Sequence, residues 1–158
     1  AGGAGGAGDP GAAVVGVLGR RAEGPDDRLA GAGRDGLDAR DRHRVERFVT
    51  LVGAGVREEG ETVSLGGRLM GSLLKLLARS VLEDAVSHVE AVKASDGDWT
   101  VVRGPRLTEA EHTGELEHGT ELRLGARAAA ARANVAEFIL DCLESGLYVR
   151  EMPKIADA

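Results

Sequence analysis

Three short, mainly apolar runs, each closed by glycine, constrain this 158-residue chain more than any other feature. Ala12–Leu18 ends in Gly19, Arg47–Val52 ends in Gly53, and Trp99–Val102 is stopped by Gly104-Pro105. A strand with one solvated face alternates apolar and polar residues. A continuous run of this length, without alternation, belongs to a strand covered on both sides, as in a parallel sheet. Parallel neighbours need long crossovers, and helical stretches lie between the runs. The expected fold class is therefore α/β, a Rossmann-like parallel sheet flanked by helices.

The helical stretches differ in quality. Pro25-Asp26-Asp27 marks a helix start, and the helix is expected to reach about His43. Gly31, Gly33 and Gly36 weaken it by about 1 kcal/mol each relative to Ala. Leu65–Leu82 has leucines at helical spacing, and Leu82, Ala85, Val89 and Val92 continue an apolar face to Ser95. Residues Thr108–Gly125 read as an irregular excursion with short strands near Glu115–Leu116 and Glu121–Leu124. In the last helix, Asn134 as N-cap and Glu137 three residues on have the form of a capping box. Val135, Phe138, Ile139, Cys142 and Leu143 make its apolar stripe, and Gly146 stands where a C-terminal glycine belongs. Tyr148–Ile155 is read as a final strand.

Composition narrows the function classes. A net charge of −6 disfavours a nucleic-acid surface, which needs clustered cations. No apolar run approaches the roughly 18 residues that span a bilayer, so no membrane partner is expected. The single cysteine, Cys142, excludes a disulfide framework and fits a reducing cytoplasm. Residues 1–11 are a low-complexity Gly/Ala stretch, read as a flexible tail before one domain spanning 12–158. The chain starts without Met, which reads as a fragment, a processed chain or an altered one. Gly3, Gly5 and Gly8 formally match G-x-G-x-x-G, but no strand precedes them and Asp9-Pro10-Gly11 follows. A dinucleotide fingerprint needs the strand before and the helix after, so the match carries no weight.

The pieces and their order resemble the NAD(P)H-binding, NmrA-like branch of the atypical short-chain dehydrogenases, which includes the flavin reductase/biliverdin reductase B type. Ala12–Gly19 is similar to that family's fourth strand, and VERFVTLVGAGV (45–56) to its fifth. EDAVSHVEAVKASDGDWTVVRGPRL (83–107) resembles its fifth helix and sixth strand, and RANVAEFILDCL (132–143) its late helix. The resemblance implies NADP or NAD as cofactor and a small-molecule substrate. It also implies a cleft at the carboxyl ends of the strands, lined by Leu18, Gly19, Arg20, Val52, Gly53, Ala54, Arg103, Gly104, Pro105 and Arg106. The glycines would let backbone approach the ligand, and the arginines would pair with phosphate or an acidic substrate.

The departures are also informative. The family's opening strand, Gly-rich turn and next strands, roughly sixty residues, have no counterpart here, so the chain reads as N-terminally truncated. The family's serine after the fifth strand is replaced by Val52-Gly53, and no Tyr-x-x-x-Lys exists. Asn134 stands for an Asp, and Gly104 for a Pro. Catalytic residues are therefore unassigned. The function expected is an oxidoreductase acting on a small carbonyl or conjugated substrate. The alternatives are a non-catalytic NAD(P) redox sensor, or a truncated chain without cofactor binding. Without the first strands, Ala12–Leu18 would be an apolar edge, so self-association through it is expected.

Among other candidates, His88 reads as a surface histidine with a conceivable general-acid role. His112 and His118 lie among Glu111, Glu115 and Glu117, but the spacing is not that of helical metal ligands, and no metal is expected. Cys142 and Trp99 read as core, as does the Leu69–Leu77 stretch.

Overall fold

A computed structural model describes residues 14–17, 45–56 and 79–158, together with three helical positions, 36, 38 and 42. The expected Leu65–Leu77 face, nearly all of the 25–43 helix and the 1–11 tail lie outside the described residues. The elements in chain order are β1 (Val14–Val17), β2 (Arg47–Gly53), α1 (Arg79–Lys93), β3 (Asp98–Gly104), β4 (Arg106–Thr108), β5 (Leu116–Gly119), β6 (Ala129–Ala131), α2 (Arg132–Glu144) and β7 (Lys154–Asp157).

The main sheet has the order β1-β2-β3-β7-β5. β1, β2, β3 and β7 run parallel, as the mainly apolar runs require, and β5 closes the edge antiparallel to β7. The sheet is thus mixed, although its centre is parallel. β4 and β6 form a separate two-stranded parallel ladder. Neither three-residue piece is legible as a strand, because each is short and Ala129–Ala131 carries no β-preferring residue.

Residues alternate between two covered faces. Phe48, Val52, Trp99 and Val101 pack with Ala85, Val89 and Val92 of α1 on one side. Val49, Leu51, Val102 and Ile155 pack with Val135, Phe138, Ile139 and Cys142 of α2 on the other. The expected apolar stripes of both helices are the ones buried. Trp99 and Cys142 are core residues, and burial pushes the Cys142 thiol up to about 11, which keeps it protonated and unreactive at neutral pH.

Three local expectations are corrected. Residues 121–124 form no strand. The last strand is confined to Lys154–Asp157, because Tyr148 and Arg150 have positive φ (55° and 60°), which breaks an extended run. The cap of α2 is also different. Ala131, not Asn134, is the N-cap, and it makes no side-chain cap bond. Its N–H donates instead to Asp157 Oδ2 at 2.8 Å. Asn134 is buried within the first turn, where Oδ1 accepts from the N–H groups of Thr113 and Gly114. Its Nδ2 donates to Thr113 Oγ1 and Asp157 Oδ1. A residue that looks like a cap is a tie between α2, β7 and the 113–114 turn. Gly146, at φ +64°, does end α2 in the left-handed conformation, after Ser145 N–H returns to Asp141 O.

Arg47, at the start of β2, clamps the other end of α2. Its Nη2 donates to Thr100 Oγ1 (2.7 Å), Cys142 O (3.0 Å) and Leu147 O (2.7 Å), and Nη1 donates to Asp98 O (3.2 Å). A cation here meets the negative end of the helix and its unsatisfied carbonyls.

His88 requires a further correction. It is buried on the inner face of α1, with Nε2 2.9 Å from Thr50 Oγ1, and Nδ1 has no partner among the described residues. Burial holds its pKa below the ordinary 6.5, against the opposing pull of Asp84. His88 lies three residues after Ala85 and four before Val92, so helical periodicity puts it on the buried face with them.

Arg47→Ala should lower the free energy of unfolding in urea by about 2 kcal/mol, since it strands carbonyls served by a charged donor. Arg47→Lys should recover part of that. For His88, the unfolded chain takes up a proton more readily than the fold, so stability is greatest above 6.5 and declines as pH falls through the interval down to the lowered native value. His88→Leu should flatten that decline in melts recorded between pH about 7.5 and about 5. An unchanged slope would mean that His88 is already charged in the fold.

Candidate functional site

In a parallel α/β sheet ligands gather outside the carboxyl ends of the strands, and here the register fixes which residues those are. β2 and β3 pair in step from Arg47↔Asp98 to Gly53↔Gly104. The two strands therefore end level, and Val52-Gly53-Ala54 comes to lie beside Arg103-Gly104. Ala54 N–H donates to Gly104 O at 2.7 Å, extending the connection one residue past the strand. Val56 N–H donates to Gly53 O at 3.1 Å, which turns the chain sharply and buries Val56. Val17 of β1 pairs with Leu51. The expected site residues Leu18, Gly19 and Arg20 lie outside the described residues.

The two glycines behave differently. Among the described residues, a Cβ on Gly53 would meet nothing within 4 Å, and Gly53 is exposed. Backbone is therefore presented openly at the strand end, which suits close approach of a nucleotide. A Cβ on Gly104 would stand 3.3 Å from Leu51 Cδ1 and close to Leu107 and Ile155. Gly104 is buried, and packing among leucine and isoleucine side chains accounts for it.

The arginines also diverge. Arg103 is 1% exposed. Its Nε donates to Met152 O at 2.9 Å and its Nη1 lies 3.5 Å from Val56 O. The charge that the strand-end position seemed to offer to a ligand faces protein carbonyls, tying the turn after β2 to the segment before β7. Arg106 is exposed, and its strand pairs it with Ala129, so the chain after Pro105 is held in the β4–β6 ladder. Val52 points into the α1 core, leaving Gly53 and Ala54 as the accessible surface of that strand end.

His88 is remote from this surface. It meets Thr50, three residues before Gly53, which is about 10 Å along a strand. The residues at the two strand ends, VGAGV (52–56) and RGPR (103–106), include no carboxylate, histidine, tyrosine or lysine. His112 and His118 serve separate partners. His112 Nε2 is 2.7 Å from Glu137 Oε2, and His118 Nδ1 is 2.7 Å from the Tyr148 hydroxyl, with His118 also stacked near Phe138. Among the described residues no group of three or more potential ligands could hold a metal. None of their helices is long and apolar enough to cross a membrane.

Sequence reasoning missed a second feature at the same carboxyl end of the sheet. Residues 122–128, with Glu117 and the end of β7 at Ala156 and Asp157, line a cavity of 540 Å3. Its first residues fall in the irregular excursion of 108–125, where the expected Glu121–Leu124 strand does not form.

The fold has known counterparts. A protein described as a NAD-dependent epimerase/dehydratase from Bacillus halodurans superposes with a TM-score of 0.71 at 17% identity, over 92% of this chain and 64% of that one. An anaerobillin reductase from Escherichia coli O157:H7 gives 0.69 at 15% identity, over 94% and 65%. A short-chain dehydrogenase/reductase from Veillonella parvula in complex with NADP gives 0.68 at 16% identity, over 92% and 62%. This chain thus spans somewhat less than two thirds of the length of these relatives, and at such identities the likeness is one of fold. No curated protein sequence matches significantly. The model of the NAD(P)H-binding family, in contrast, matches residues 8–146. The aligned parallel strands and the family match lead to one conclusion: this chain is a member of the NAD(P)H-binding family.

Proposed function

We propose that this chain holds NADPH or NADH across the carboxyl ends of β1, β2 and β3, as part of an oxidoreductase for a small carbonyl or conjugated substrate. The observation that carries the reading is Gly53: an open, exposed glycine at the end of a buried parallel strand, level with its neighbour. A bound nicotinamide would supply the hydride. The protein's part is to bind, orient and exclude water, because no acid or base stands among residues 52–56 and 103–106. Gly53 and Ala54 would admit the cofactor to backbone contact. Arg103 would keep the turn through Val56 in place from below, as a positioning residue.

The lack of an acid–base group at the strand ends also favours a second reading, a protein that senses NAD(P) without turning it over. The anaerobillin reductase and the NADP-bound short-chain dehydrogenase/reductase among the structural relatives support the enzyme reading by analogy of fold. The single, buried cysteine fits action in a reducing compartment such as the cytoplasm. Self-association through β1 is proposed as well, since β1 pairs with β2 alone among the described strands.

Titration of the chain with NADPH, followed by cofactor fluorescence, should give saturable binding. Gly53→Val should weaken it about tenfold, or about 1.4 kcal/mol, with the melting temperature unchanged, because the new side chain enters open space. Turnover with flavins or quinones selects the enzyme. Binding without turnover selects the sensor, and a folded chain that binds neither cofactor would sink both. Light scattering during size exclusion should find a dimer or larger species, and a clean monomer would rule out pairing through β1.

A further inference from the structure

The cavity beyond β7 is unexplained by the cofactor reading. It lies at the same carboxyl end of the sheet. β7 is next to β3 and one further strand from β2, and the register sets Gly53 level with Ile155, so Asp157 is about 12 Å from Gly53 at ordinary strand spacing and rise. Ala156 and Asp157 form its floor, and Leu122–Ala128 form its wall.

Its chemistry is two-sided. Leu122, Leu124, Ala126, Ala128 and Ala156 give it apolar walls. Arg123 and Arg127 also line it, both exposed, and neither makes a hydrogen bond or ion pair among the described residues. Of the arginines nearby, Arg132 pairs with Glu109 and Arg103 serves carbonyls, while Arg106 is exposed in β4. The acidic residues are Glu117 and Asp157. Both Asp157 oxygens are committed, one to Ala131 N–H and one to Asn134 Nδ2, at the positive end of α2. Glu117 is exposed and sits opposite the arginines in charge. With two cations and two carboxylates the wall is formally neutral, which disfavours a multiply charged phosphate. A single carboxylate on an apolar body matches both the arginine forks and the apolar lining.

We infer that this cavity is a substrate subsite that takes an apolar-bodied carboxylate, with Arg123 and Arg127 reading the carboxylate and the leucine–alanine wall taking the body. The inference rests on the proposed cofactor site for the term substrate, while the binding chemistry stands on the cavity's own residues. A ligand seated there reaches the ends of β2 and β3 with a body about 12 Å long. Its reducible group would then lie over Gly53, while its acid group stays at Arg123 and Arg127.

The test uses naphthoate and its uncharged methyl ester as probes, with NADPH affinity measured in parallel on every variant. Naphthoate should bind, and the ester about tenfold more weakly, as expected when a charged hydrogen-bonding group is removed. Arg123→Ala and Arg127→Ala should each weaken naphthoate by roughly fivefold to tenfold while leaving the ester and NADPH unaffected. Glu117→Gln should tighten naphthoate, because it removes the repelling charge. All three side chains are exposed, so the variants should fold, and unchanged thermal melts check this. If acid and ester bind alike, if neither binds, or if the arginine variants bind naphthoate as well as the parent, the inference is overturned. Naphthoate binding that depends on the arginines in a chain that fails to bind NADPH supports the subsite and removes the cofactor reading instead.

Discussion

The parallel ladder between β2 and β3 is the constraint on which the rest depends. Seven residues pair in step with seven, and every paired residue between the two ends is buried, from both sides of the sheet. Apolar residues must therefore fill both faces, and both faces need helices. The same register brings two glycines level at one edge and Arg47 beside Asp98 at the other. A slip of one residue would exchange the α1-facing and α2-facing sets and turn the core inside out.

The polar groups that the fold buries are used as ties between elements. Arg47 joins the start of β2 to the end of α2, and Asn134 joins the start of α2 to β7 and the 113–114 turn. Arg103 joins β3 to the turn after β2 and the approach to β7. Each meets backbone or side-chain groups of other elements, several of them at least partly buried, where a charged or amide side chain is worth most. His88 is the exception in character. It holds Thr50 through one nitrogen, and its burial keeps it neutral, so it adds acid sensitivity to the α1 face.

Under the proposed function, two surfaces at the carboxyl end of the sheet would divide the labour. Gly53 and Ala54 present bare backbone, suited to a flat, charged cofactor. The 122–128 wall presents side chains of mixed polarity, suited to selecting a substrate. The former is part of the central sheet and is rigid by construction. The latter hangs from the β4–β6 ladder and from β7, outside the main core, so it can vary in sequence without disturbing the fold.

The strands β1, β2 and β3, the α/β class, the two apolar helix stripes and the glycine ending α2 were legible in the sequence, because each rests on a local period or on one residue's backbone freedom. The positions of Gly53 and Arg103 at a strand end were legible for the same reason. What those residues do there was not. That Gly53 is open while Gly104 is packed, and that Arg103 faces carbonyls, depends on which side chains arrive from β4, β7 and the 152 segment. The cap-like Asn134 and the surface-like His88 were misread for a related reason: their partners, Asp157 and Thr50, are 23 and 38 residues away. The cavity at Arg123 and Arg127 had no local signature at all. Sequence by itself determined which segments must be buried, since transfer of apolar surface from water depends on composition and period alone. The tertiary structure alone decided which polar groups meet, because a hydrogen bond needs a partner within about 3 Å, and that partner is supplied by the fold.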